Sequence, residues 1–397
     1  MNRFFLLILL VAFICSCSKE EPQPEANPYW YDNIGARTDI PFLPDAGANY
    51  FSYSFKRAAG EKIGIRLTAE FMYARYQSFN VYNTQTRSSV ASLADVEMVA
   101  DDGNENPFTL LSQTINRNYT VHIVPNIGSS DDFSNQLLFD DAITEITIIV
   151  RNYLPEGDVF GGVALPSIEA FDLETGNILP IPEAIPIDFK SFETIVDQLA
   201  NVINLTQLLQ EGNTISSFRF EGLGLFQNLD NQYLFAPLKL GAQQVAILKF
   251  KPPTFPPSIQ QIQESEVRYF SLGLGDSKTY NYKTLSDFQL KIAADGFIYV
   301  VIGRNDTEII TKSEGLNFLE WVPELQNQGL IVYRNLLTAA NYPFNMNVVP
   351  DILQNINQVF EDGFLTAETY LGDRAPTGKK MSKTAFLENF GGFEVGY

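Results

Sequence analysis

The chain has 397 residues, with 47 acidic side chains against 27 basic ones and a formal charge of −20 at neutral pH. That balance excludes a nucleic-acid binder built on a basic patch, while 45% apolar residues suffice for a full globular core. Two cysteines, both near the start, exclude disulfides and thiolate zinc sites from the body, and a single histidine, His122, excludes metal sites that need two imidazoles.

In chain order, the first element is a leader. Arg3 supplies a positive start, and Phe4 to Ile14 form an uncharged apolar run that is too short to span a bilayer. Ile14, Cys15, Ser16 and Cys17 follow, and this order resembles the lipobox of bacterial lipoproteins, in which a small residue precedes the cysteine that becomes the lipidated N-terminus. The resemblance implies a signal peptide over 1–16, lipidation at Cys17 and a membrane partner reached through that lipid. Ser18, Lys19, Glu20 and Glu21 resemble the acidic tag that sends Bacteroidota lipoproteins to the outer face of the outer membrane, so cell-surface exposure is the expectation. Residues 17–39, rich in Pro and Glu, read as an extended tether.

A repeat organises the body. ARYQSFNV at 74–81 is answered by VRYFSLGL at 267–274, LADVEMVADDG at 93–103 by LSDFQLKIAADG at 285–296, and IVRNYL at 149–154 by VYRNLL at 332–337. A looser match links LPDAGANYF at 43–51 with LDNQYLF at 229–235. Short segments rich in Ile, Val, Thr, Phe and Tyr between Asp-Gly, Asn-Pro and Pro-rich turns predict a mainly β chain of two similar sandwich or jelly-roll-like halves. The first covers residues 40–180 and the second 225–345. Between them, residues 181–224 predict a Pro-rich linker and a helix, with Phe192, Ile195, Leu199 and Val202 at helical spacing and Gly212 as its stop. Residues 346–397 predict an irregular extension with a short helix near 351–360.

Candidate functional residues follow from these strands. Arg75 and Arg268 recur among apolar neighbours, as do Arg151 and Arg334. A buried guanidinium needs a partner, and the repeated Asp95 and Asp287 supply one, so the expectation is one ion pair inside each copy: Arg75 with Asp95, Arg268 with Asp287. The other face of the first strand alternates Tyr76, Ser78, Asn80 and Tyr82, and Tyr269 and Ser271 persist in the second copy. Aromatic bodies with polar tips make this stripe the candidate ligand face. His122, in the alternating strand YTVHIV, is the required base of any histidine-dependent hydrolase or lyase, and carboxylates are the other acid–base candidates. Asp101 with Asp102 and Asp131 with Asp132 read as solvated loops or at most a weak calcium site, DDGNEN lacking the ligand spacing of an EF-hand, and Gly273-Leu274-Gly275 lacks the third glycine of a dinucleotide fingerprint. No metal and no cofactor is implied.

Taken together, ARYQSFNVYN, VRNYLPEGDVFGGVALP, VRYFSLGLGD and LNFLEWVPELQNQGLIVYRNLL resemble a family of secreted bacterial proteins of unknown function with tandem β-rich halves. The resemblance implies a fold and no reaction. The reading of the sequence is a lipid-anchored surface module that binds an extracellular compound such as a glycan, with a hydrolase or lyase acting between the halves as the alternative.

Overall fold

The computed structural model describes residues 29–31, 42–111, 115–127, 133–187, 193–209, 212–221, 224–355 and 366–389. The signal peptide, Cys17 and most of the tether lie outside these residues, as do Asp131, Asp132 and positions 356–360 of the short helix expected near 351–360.

The chain is mainly β. The first strand set comprises β1 (Ala48–Lys56), β2 (Ile63–Glu70), β3 (Ala74–Asn83), β4 (Ser89–Ala94), β5 (Asn118–Asn126), β6 (Gln136–Asp140), β7 (Glu145–Pro155), β8 (Ser167–Asp172) and β9 (Ile178–Leu179). The second comprises β10 (Thr214–Ile215), β11 (Asn231–Lys239), β12 (Gln244–Phe250), β13 (Val267–Gly275), β14 (Asn281–Ser286), β15 (Ile298–Gly303), β16 (Asn317–Glu320), β17 (Gln328–Thr338) and β18 (Thr377–Ser382). Four sheets result, with orders β1-β7-β3-β4 and β9-β8-β2-β5-β6 in the first set, and β11-β17-β13-β14 and β10-β18-β12-β15-β16 in the second. The two sets share one strand order, including a parallel pair at one edge, β5 with β6 and β15 with β16.

Alternation of side chains decides how the sheets stack. In β3, Phe79 and Val81 enter the core shared with Leu67 and Val121 of the neighbouring sheet, whereas Tyr76 and Tyr82 point the other way. In β17, Ile331 and Tyr333 face one core while Val332 and Leu336 face another. The sheets containing β3 and β13 are therefore buried on both faces and pack against each other, giving four layers with an inner pair and an outer pair. That is why β7 reads apolar on both faces: Ile146 to Tyr153 are all buried. The helix Glu193–Leu209 buries Leu199, Val202 and Ile203 against Phe218 and Phe235, closing one side of the seam between the inner sheets.

Boundaries at both ends of the second set differ from expectation: Thr214–Ile215, assigned from sequence to the linker, forms β10 beside β18. Thr377–Ser382, assigned from sequence to an irregular extension, forms β18, which pairs with β12 along six residues and covers the edge that β15 leaves open. Its counterpart β8 follows β7 directly in the first set, whereas β18 returns from beyond residue 345, so the repeat pattern did not reach it. Residues 351–355 form a bridge and turn rather than the start of the expected helix.

Candidate functional site

The repeated arginines do not pair within their own strand sets. Arg75 Nη1 donates to Asp287 Oδ1 and Oδ2 at 2.7 and 2.6 Å, and Arg268 Nη1 donates to Asp95 Oδ1 and Oδ2 at 3.1 and 3.2 Å. The expected Arg75–Asp95 and Arg268–Asp287 pairs are thus exchanged into two reciprocal bridges across the seam. Each arginine stands one residue into its strand, at the margin of the sheet, and reaches across to the opposite set. Each aspartate is held by its own set: Asp95 accepts from Gln77 N at 2.9 Å and Asp287 from Phe270 N at 3.3 Å. Burial pushes the Asp95 carboxyl up to about 6, with Arg268 pulling the other way, and burial likewise raises Asp287 against Arg75.

The expected ligand face is also covered. Tyr76, Ser78, Asn80, Tyr82, Tyr269 and Ser271 are all buried, and the opposite strand set packs against them. Tyr76 donates to Asp230, Tyr82 donates to Phe226 O at 3.1 Å and Gln227 O at 3.0 Å, and Tyr269 and Ser271 donate to Asp45 at 2.8 and 2.5 Å. The hydroxyls of Tyr76, Tyr82, Tyr269 and Ser271 are spent on the opposite strand set, so the stripe builds the seam and is not an open binding surface.

Where the stripe stops, the seam opens into a cavity of about 100 Å³. Its walls come from both inner sheets. Tyr50 of β1 stands opposite Arg151 of β7, and Tyr233 of β11 stands opposite Arg334 of β17. Ile149 and Val332 supply matching apolar walls, and Phe235, Phe220 and Leu225 complete them. Both arginines are 2% exposed. Their placement rests on two residues with left-handed backbones, Leu43 (φ 51°) and Phe226 (φ 49°), a conformation uncommon for side chains of that size. Each turns its carbonyl onto the arginine of the opposite set: Arg151 Nη2 donates to Phe226 O at 2.7 Å, and Arg334 Nη2 to Leu43 O at 2.5 Å. Backbone strain at matched positions that aim carbonyls into one cavity marks it as the candidate site.

The cavity walls carry hydrogen-bonding groups set among apolar side chains. Burial raises Tyr50 and Tyr153 and holds Tyr233 at about 12, so these phenols act as neutral hydrogen-bonding groups. Tyr50 O–H lies 3.5 Å from Tyr153 O–H, which accepts from Asn231 Nδ2 at 2.9 Å. Glu221 is the carboxylate among the described lining residues, and it is bridged to Arg219 at 2.5 Å. His122 stands elsewhere, on β5 of an outer sheet, where its ring stacks on Phe133 at 4.0 Å and meets Arg66 Nε at 3.4 Å. Burial, reinforced by Arg66, lowers its pKa to about 4. Asp101 accepts from Thr120 at 3.0 Å, and no cluster of three metal-ligating side chains occurs among the described residues.

Arg151 and Arg334 carried a sequence signal, since each repeats beside apolar neighbours without a repeated acid of its own. The walls from Phe42 to Pro44 and Phe220 to Asn228 carried none, because loops show no period.

No protein-family model and no curated protein matches the chain. Among solved structures, it is similar to an uncharacterised protein from Burkholderia cenocepacia, with a TM-score of 0.54 at 10% identity over 90% of this chain and 82% of that one. It also aligns with the VPA0106 protein from Vibrio parahaemolyticus, with a TM-score of 0.39 at 9% identity over 75% of this chain and 86% of that one. The first likeness shows a shared mainly β fold and no activity.

Proposed function

We propose that this chain is a lipid-anchored binding protein of the outer cell surface, tethered through Cys17, which captures a small extracellular compound in the cavity between its inner sheets. The observation that carries the reading is the pair of buried guanidiniums, one from each strand set, facing one cavity with apolar walls and neutral phenols. Pockets of this composition orient a ligand by a few fixed polar groups and hold it by apolar contact. A hydrolase or lyase dependent on His122 would need its base beside the ligand, and His122 is not a lining residue. The strand order common to both sets supports descent from a single duplicated unit, and the seam between the copies then becomes the site.

The test uses full-length protein purified in detergent. A ligand that binds the folded state raises apparent stability by mass action, so a thermal-shift screen of small sugars, amines, acids and neutral amphiphiles is expected to yield stabilising compounds whose effect disappears in Ile149→Trp, which fills the cavity. Stabilisation undiminished in that variant places the site elsewhere. Intact-mass analysis of the same material checks the anchor: a diacylated Cys17 terminus is expected, and an unmodified amino end refutes it.

A further inference from the structure

We infer that the cavity selects organic anions, with Arg334 as the residue that receives the charged group. The inference rests on the cavity being a ligand site and adds the class of ligand.

The two arginines occupy matching positions, and each has one buried nitrogen without a partner, Arg151 Nε and Arg334 Nη1, but they differ in what meets their terminal nitrogens. Arg151 has Asn80 beside it on β3, and Arg151 Nη1 donates to Asn80 Oδ1. On β13 the position in the same register is Gly273, which faces Val332 as Asn80 faces Ile149. Without that amide, Arg334 Nη1 has no hydrogen-bond partner, although the residue is 2% exposed. Asp45 Oδ2 lies 3.6 Å away, beyond hydrogen-bond length, and Asp45 already accepts from Ser271, Tyr269 and Gly47. A Cβ at residue 273 would stand 2.9 Å from Arg334 Nη1 and 3.1 Å from Asn281 Oδ1, so glycine is what lets that nitrogen lie against β13.

An unmade hydrogen bond on a buried cation is costly, and a ligand acceptor that completes it recovers the loss. The charge count points the same way. Arg151 bonds neutral oxygens, those of Asn80 and Phe226, so its positive charge has no bonded counterion at the cavity wall. A carboxylate is the group that satisfies both conditions, since it brings one negative charge and acceptor oxygens suited to a guanidinium fork. Ile149, Val332 and Phe235 would take a compact apolar body behind it. The expected ligand class is a small carboxylic acid with an aliphatic or aromatic body.

The probes are benzoate and hexanoate, with benzamide and hexanamide as neutral isosteres, added to full-length protein in detergent. Benzoate or hexanoate is expected to bind, and its amide to bind about 10- to 100-fold more weakly, the factor a hydrogen bond to a charged group supplies. Gly273→Asn gives Arg334 the partner that Arg151 already has. It is expected to lower affinity for the acids by a similar factor while leaving the far-ultraviolet spectrum close to wild type. Acids and amides binding equally, with both effects lost in Ile149→Trp, would overturn the anion assignment and leave the cavity as a site. Binding of neither class up to tens of millimolar would overturn both. If Gly273→Asn misfolds, the acid-to-amide ratio in the wild type decides alone.

Discussion

At the scale of single residues, the exchange of ion-pair partners sets the largest energetic consequence. Arg268 and Asp95 are both buried, so Arg268→Met strands a carboxylate in the seam, and urea denaturation is expected to show a loss of about 3–5 kcal/mol. A double-mutant cycle separates the observed pairing from the expected one: Arg268→Met with Asp95→Asn should be strongly non-additive, whereas Arg75→Met with Asp95→Asn should be close to additive. Sequence could not choose between the two pairings. When two copies carry the same Arg and the same Asp, bridges inside and between copies use identical residues at identical spacings, and only the placement of one sheet on the other breaks the tie. His122 gives a second residue-level prediction, aided by its being the sole histidine. Its single imidazole resonance is expected to titrate near 4 in the folded protein, against about 6.5 for an unperturbed ring. The unfolded chain then takes up this proton first, so the contribution of His122 to stability is intact above pH 6.5 and is lost as pH falls from there towards 4. A midpoint near 6.5 in the native state would contradict the burial of the ring.

At the scale of elements, β18 shows how closely the outer sheet is built. Gly378 pairs with Leu248 on one side and Ile215 on the other, and a Cβ there would come within 2.1 Å of Ile247 O. Gly378→Ala must push two neighbouring strands apart, with an expected destabilisation of about 1–3 kcal/mol by thermal or urea unfolding. Strand identities were largely legible, because β-branched and aromatic alternation is a local signal, and β7 already read as a strand buried on two sides. The helix over 193–209 was legible from the spacing of Leu199 and Val202. What alternation could not give was the occupant of the second face. Tyr76, Ser78, Asn80 and Tyr82 alternate as a ligand-binding stripe would, but the tips of Tyr76, Tyr82 and Asn80 meet Asp230, Phe226 O and Arg151, groups of remote sequence that no local pattern announces.

At the scale of the whole molecule, the four-layer stack makes each strand set dependent on the other. Tyr76, Tyr82, Tyr153 and Tyr269 are all at most 1% exposed in the seam, and full burial of a large apolar side chain contributes on the order of 1.5–3 kcal/mol. Separating the sets would return that surface to water and leave four ionised partners without their counterions. Residues 42–187 expressed without 193–389 are therefore expected to aggregate or unfold, and co-expression of the two pieces is expected to recover a non-covalent complex. A soluble, cooperatively unfolding first piece would contradict this, and circular dichroism with size-exclusion chromatography reads the outcome.

The position of the cavity between the two inner sheets carries an evolutionary consequence. Had the same site formed between two identical chains, any substitution on one wall would appear on the other, and both arginines would face asparagine or both would face glycine. One continuous polypeptide escapes that rule. It can give Arg151 an amide partner and Arg334 none, and so give a palindromic chamber a head and a tail, which a ligand with different ends requires.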